Sequence, residues 1–287
     1  MKFKCTNNGS EEIPQELFKL IGSEFPRIHT HINDMVKLSK LLKKYKKDTI
    51  CKLPFCATVA AEAMGASIKF GDEKNGPRVK DYVFDTIEEL ANIQDIDLCK
   101  GRIQQVLDSV ESLSGQNEVV SLNVEGPFTI ISSLIEPGIF YRAIRKKKEI
   151  VDQIMSVVEN NLVKYSLEGI KRGAKIISYA DPAGAMDLIG PKIHKDLSGR
   201  ISCNLLKRIQ NKTGCFIIHL CGKASTDFEQ SGFCSSEPIE YDEMLTYGEA
   251  ISRLPGNSED RKIIGHSCIK RTPLKNKKPV IWRITLN

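Results

Sequence analysis

The chain has 287 residues, 41% hydrophobic and 27% charged, an ordinary globular composition that supports one large domain or two small ones. Its 42 basic and 36 acidic residues leave a net charge of +6, too modest to point to nucleic acid, and no run of about 20 apolar residues exists to span a membrane. The N-terminal MKFKCTNNGSEEIP lacks the apolar stretch of a secretory signal, and nine cysteines, an odd number, fit thiols in a reducing, cytoplasmic compartment better than a disulfide scaffold.

Short runs rich in β-branched residues alternate with longer amphipathic segments along the chain. A strand at 2–6 is followed by helices at 14–21 and 32–46, a strand at 49–55, and helices at 57–64 and 101–113. Then come a strand at 119–125, one long helix over 139–169, a strand at 175–181 and a helix at 191–209. The last third gives strands at 215–221 and 239–241, a helix at 242–251, a weak strand at 253–255 and a strand at 262–268. Strand and helix repeated this often imply parallel strands with crossover helices, and seven or eight such units fit a TIM (β/α)8-type barrel better than an open doubly wound sheet. With no low-complexity linker and no shift in composition, a single domain over 1–287 is expected.

Several predicted strands end in polar or reactive residues followed by Gly or Pro: Glu125-Gly126-Pro127, Asp181-Pro182 and Cys221-Gly222. In a barrel the C-terminal ends of strands carry the chemistry. In His219-Leu220-Cys221 the imidazole and thiol are two residues apart on a strand and share a face. By itself this pair also describes a buried histidine beside a buried cysteine. Cys268 ends the last predicted strand, and one His with two Cys is the ligand set of a zinc site that keeps its fourth position open, the mark of a catalytic metal. His266, which repeats the His-x-Cys spacing, is read as a bystander; Cys234 is an outside candidate, and the other six cysteines read as packing residues. Glu125 and Asp181 stand at strand ends as candidate catalytic carboxylates, with a rim salt bridge and a helix N-cap as the plain structural alternatives; Glu62 and Asp187 are weaker candidates. No glycine-rich phosphate loop and no G-x-S-x-G elbow appears.

Leu53-Pro54-Phe55, Glu62-Ala63-Met64-Gly65-Ala66, Glu125-Gly126-Pro127-Phe128-Thr129, Tyr179-Ala180-Asp181-Pro182-Ala183, His219-Leu220-Cys221-Gly222 and Cys268 with Thr272-Pro273 follow one another in an order that resembles the uroporphyrinogen decarboxylase superfamily. Within it the chain looks most like the zinc-dependent methylcobamide:coenzyme M methyltransferases. That resemblance implies zinc on His219, Cys221 and Cys268, with Asp181 and Glu125 positioning the substrate or orienting a ligand. It also implies a methyl group supplied by methylcobalamin on a partner corrinoid protein and accepted by a small thiol such as coenzyme M. A tetrapyrrole decarboxylase is the alternative, but the arginine-containing N-terminal run of those enzymes is absent. Residues 253–257 resemble the family's seventh strand, and only about four residues then precede the eighth, where a parallel crossover needs roughly ten to twelve. A shortened last βα unit is therefore expected, and with it a third reading, a non-catalytic zinc- or corrinoid-binding paralogue.

Overall fold

The computed structural model describes residues 11–23, 25–255 and 263–287; the strand expected at 2–6, with Cys5, lies outside the described residues. The strands are β1 (Ile50–Leu53), β2 (Ile68–Lys69), β3 (Arg78–Val79), β4 (Val119–Glu125), β5 (Ile176–Ala180), β6 (Ile217–Cys221), β7 (Cys234–Glu240), β8 (Ile263–Ser267) and β9 (Val280–Leu286). Seven of them form one sheet in the order β1-β4-β5-β6-β8-β9-β7, while β2 and β3 make a small antiparallel pair. The steps from β1 to β8 are parallel, and β9 then pairs antiparallel with β8 on one side and with β7 on the other. The parallel strands read as nearly continuous buried runs because helices cover them. The helix Ile32–Tyr45 shows the pattern, burying Met35, Leu38, Ser39 and Leu42 at helical spacing.

The α/β class with a parallel central sheet is as expected. Two details of the expectation are corrected. Residues 253–255 are not a strand: Arg253 and Leu254 donate backbone hydrogen bonds to Ala250 and Ile251, closing the helix Tyr247–Ser252, and Leu254 packs in an apolar cluster with that helix. Nothing therefore separates β6 from β8, which pair directly. Among the described residues no ladder joins β1 to β7. The long helix at 139–169 is two helices, Pro137–Lys146 and Lys148–Lys171, broken at Lys147 (φ −137°, ψ 52°) within the cation run Arg145-Lys146-Lys147-Lys148. Glu136 caps the first of these, its carboxylate accepting from the Gly138 and Ile139 amides.

Register makes the two faces of the sheet different. Lys52 aligns with Ser121, Asn123 with Ser178, Ser178 with His219, and Glu125 with Ala180. Since side chains alternate along a strand, Ser121, Asn123 and Glu125 share one face with Lys52, Ser178, His219 and Cys221, while Val120, Leu122 and Val124 join the larger core on the other. At the N-terminal ends of the strands the first face is apolar: Ile50, Ile176, Ile217 and Ile264 pack with Tyr247, Ala250 and Ile251 of the helix Tyr247–Ser252. That helix forms a floor, and the polar positions one step further along each strand stand above it.

Candidate active site

Above the floor lies a cavity of about 190 Å³ whose walls include Glu125, Asp181, His219, Cys221 and Cys268. The five leading candidates thus line one space, contributed by the ends of β4, β5, β6 and β8. His219 is fully buried, its ring 5.9 Å from that of Tyr247, and neither ring nitrogen has a hydrogen-bond partner. Burial, with the Lys52 ammonium nearby, pushes its pKa down to about 4, so the imidazole is neutral at pH 7 with a lone pair available. Cys221 and Cys268 are half-buried. Among the described residues no three His, Cys, Asp or Glu side chains are gathered into a metal site. A buried, neutral, unpartnered imidazole sharing a cavity with two thiols is nonetheless a donor set suited to zinc.

His266 is kept out of this space by a bulge. Ile264 faces His219 and Ser267 faces Cys221, so β8 spends one extra residue where β6 spends none. His266 sits there with φ +54°, a conformation His adopts more readily than most residues. Its ring lies against Trp282, and its Nε2 pairs with Ser236 Oγ at 2.8 Å. Cys234 is buried in the main core.

The two carboxylates differ. Asp181 Oδ1 accepts from the Thr129 amide and hydroxyl, both at 2.8 Å, and Oδ2 accepts from the Phe128 amide at 3.1 Å. It caps the helix Pro127–Ile131, which follows a different strand from its own; burial raises its pKa and these bonds draw it back down. Glu125 is equally buried, but its Oε2 has no partner, and burial pushes its pKa up to about 7. Of the weaker candidates, Asp187 pairs with Lys223 at 2.7 Å, and Glu62 with Arg102. Arg102 is itself buried and reaches Cys56 Sγ at 3.1 Å and Thr58 Oγ1 at 2.8 Å.

A family model described as uroporphyrinogen decarboxylase (URO-D) matches residues 11–266. The chain belongs to the uroporphyrinogen decarboxylase family. It is 26% identical over 253 residues to the methylcobamide:CoM methyltransferase MtaA of Methanosarcina barkeri (strain Fusaro / DSM 804), covering 87% of this chain and 71% of that protein. It is 23% identical over 254 residues to the methylcobamide:CoM methyltransferase MtbA of Methanosarcina mazei, covering 88% and 74%. A solved methyltransferase structure from Methanosarcina mazei superposes with a TM-score of 0.67 at 24% identity, over 78% of this chain and 67% of that one. No helix among the described residues is long and apolar enough to cross a membrane.

This URO-D family site also contains residues that were not singled out by sequence. Lys52, Asn123 and Ser178 line the cavity, and alternation was the signal: each lies an even number of residues from an inward-facing neighbour on its strand. Asp227, which accepts from the Met186 amide at 2.9 Å, lies on a helix and gave no such signal. Gly126 shows how tightly the rim is built, since a Cβ there would lie 2.3 Å from Asp181 Cβ and 2.4 Å from the Tyr179 hydroxyl. Gly126→Ala is expected to lose about 1–3 kcal/mol of stability through this overpacking, read as a lower urea midpoint at unchanged slope. An unaltered midpoint would show that the rim yields.

Proposed function

We propose that the chain is a zinc-dependent methyltransferase, moving a methyl group from a methylated corrinoid carried by a partner protein to a small thiol such as coenzyme M. The observation that carries this reading is His219: two unpartnered ring nitrogens, fully buried, in the cavity that Cys221 and Cys268 also line. The named relatives, both methylcobamide:CoM methyltransferases, support the same chemistry. The sheet is then a variant of the TIM (β/α)8-type barrel, with a shortened last unit and with β1 and β7 left unjoined among the described residues, in one cytoplasmic domain over 1–287.

His219, Cys221 and Cys268 would hold the zinc. Bound there, zinc would keep a substrate thiol as thiolate, the form that attacks carbon. The chain's own groups do the rest. Glu125 Oε2 has no partner and its pKa lies near neutrality, so it would take the proton the thiol gives up. The thiolate sulfur would then be free to bond to the methyl carbon, the electron pair of the carbon–cobalt bond leaving with the partner's corrinoid. Asp181, with both oxygens engaged, would hold the rim in place and transfer no proton.

Metal analysis tests the reading. Purified protein is expected to carry about one zinc per chain, and His219→Ala and Cys268→Ser to lose most of it. Full zinc retained in Cys268→Ser would sink the ligand assignment. Cobalamin-dependent methylation of a thiol by the wild type separates an enzyme from a binding protein.

A further inference from the structure

Cys268 leaves the sheet at the end of β8, and the segment beyond it is tied to the turn that precedes the edge strand β1. The short turn Ile269–Arg271 is closed by Arg271, whose amide donates to the Cys268 carbonyl at 2.9 Å. The next residue, Thr272, is fully buried, and its hydroxyl lies 2.6 Å from Asp48 Oδ2 and 3.0 Å from the Ile269 carbonyl. Asp48 stands two residues before β1, with its side chain 2% exposed. Its Oδ2 also accepts from Lys52 Nζ at 2.7 Å, and its Oδ1 from the amides of Thr49 at 2.8 Å and Ile50 at 3.3 Å. The carboxylate is thus fixed by β1 before it meets Thr272.

The floor helix joins the same knot. Gly248 donates its amide to the Thr272 carbonyl at 2.8 Å, and Tyr247 donates to Leu274 at 2.9 Å. A Cβ on Gly248 would lie 2.8 Å from the Thr272 carbonyl oxygen and 2.8 Å from Thr49 Oγ1, so there is no slack between the three segments. β1 and β8 share no backbone ladder. This side-chain clasp does the work a ladder would do, and it lies four residues from one proposed zinc ligand.

We propose that Thr272 and Asp48 are positioning residues that set Cys268 at its working distance from His219 and Cys221. This rests on the zinc reading above. Neither residue is among the proposed ligands; each acts by holding the segment that carries the third donor, and loss of such support lowers metal affinity by about 10- to 100-fold.

Cobalt(II) in place of zinc gives a readout other than turnover. Metal-free wild type is expected to bind about one Co²⁺ per chain, with the visible bands of a tetrahedral ion and a thiolate-to-cobalt charge-transfer band. Thr272→Val, nearly isosteric, is expected to bind it about 10- to 100-fold more weakly with a reduced charge-transfer band, and Thr272→Ser to restore both. A loss confined to folding would lower the melting temperature without altering the bands of the cobalt that is bound. If Thr272→Val does not fold, Asp48→Asn carries the same measurement. Wild-type cobalt binding with an unchanged affinity and spectrum in the folded variant overturns the clasp and leaves the zinc reading standing. No cobalt in the wild type overturns both.

Discussion

A Glu125→Gln variant is expected to lose methyl transfer by about 10²- to 10⁴-fold, the usual worth of a well-placed proton acceptor. The same substitution has a signature that needs no substrate. Burial raises the Glu125 pKa from 4.5 to about 7, so the folded protein prefers the carboxyl protonated. The stability this group contributes is fully present below pH 4.5 and is lost as the pH rises through 7, about 3 kcal/mol for a shift of this size. Glutamine does not titrate, so the variant should not show that loss. His219 works in the opposite direction: its pKa falls from 6.5 to about 4, so its contribution is present above pH 6.5 and is lost on acidification toward pH 4. Urea unfolding of the metal-free proteins at pH 5, 6, 7 and 8 should give a wild-type curve limited on both sides and a Glu125→Gln curve that declines only toward acid. Parallel curves would mean that Glu125 titrates normally, and the proton-acceptor role would fall with them.

Asp181→Ala is expected to cost about 3 kcal/mol without abolishing the chemistry outright. It removes one buried acceptor and orphans three donors, the Phe128 amide and the amide and hydroxyl of Thr129. Relief from burying a carboxylate offsets part of that loss. Thr129 Oγ1 also lies 3.3 Å from the Ala183 amide, which donates to it, so the loop after β5 and the helix after β4 should loosen together. Asp181→Asn keeps a carbonyl acceptor and should recover about half. Urea denaturation decides: an alanine variant within about 0.5 kcal/mol of wild type would show that the bonds at this rim do not hold it.

The parts of the site that could be read in advance are those that strand periodicity controls. Glu125, Asp181, His219, Cys221 and Cys268 end apolar runs, and a parallel sheet carries such ends to one rim, so they meet in one cavity. What could not be read depends on tertiary choice. Val280–Leu286 opens on three apolar residues and alternates only from Trp282 onward, and its pairing with both β8 and β7 is fixed by packing rather than by its own pattern. Residues 253–255 carry an Arg-Leu-Pro pattern compatible with a strand end, yet the preceding helix captures the amides of Arg253 and Leu254. Asp181 is the subtler case. A capping role was foreseeable from Asp-Pro, but the helix it caps begins at Pro127 on a neighbouring unit, a contact invisible to local sequence.

The antiparallel end of the sheet bears on behaviour at high concentration. Among the described residues β7 pairs with β9 along its whole length and is the outermost strand there, and an unpaired strand border is where another chain could add itself. This border carries exposed Glu237 and Glu240, and between them exposed Pro238, which has no amide hydrogen to offer. An incoming strand would meet repulsion and a gap in its hydrogen bonding together. The chain therefore has a built-in guard against fibrous self-association on the flank that supports the strand leading to Cys268.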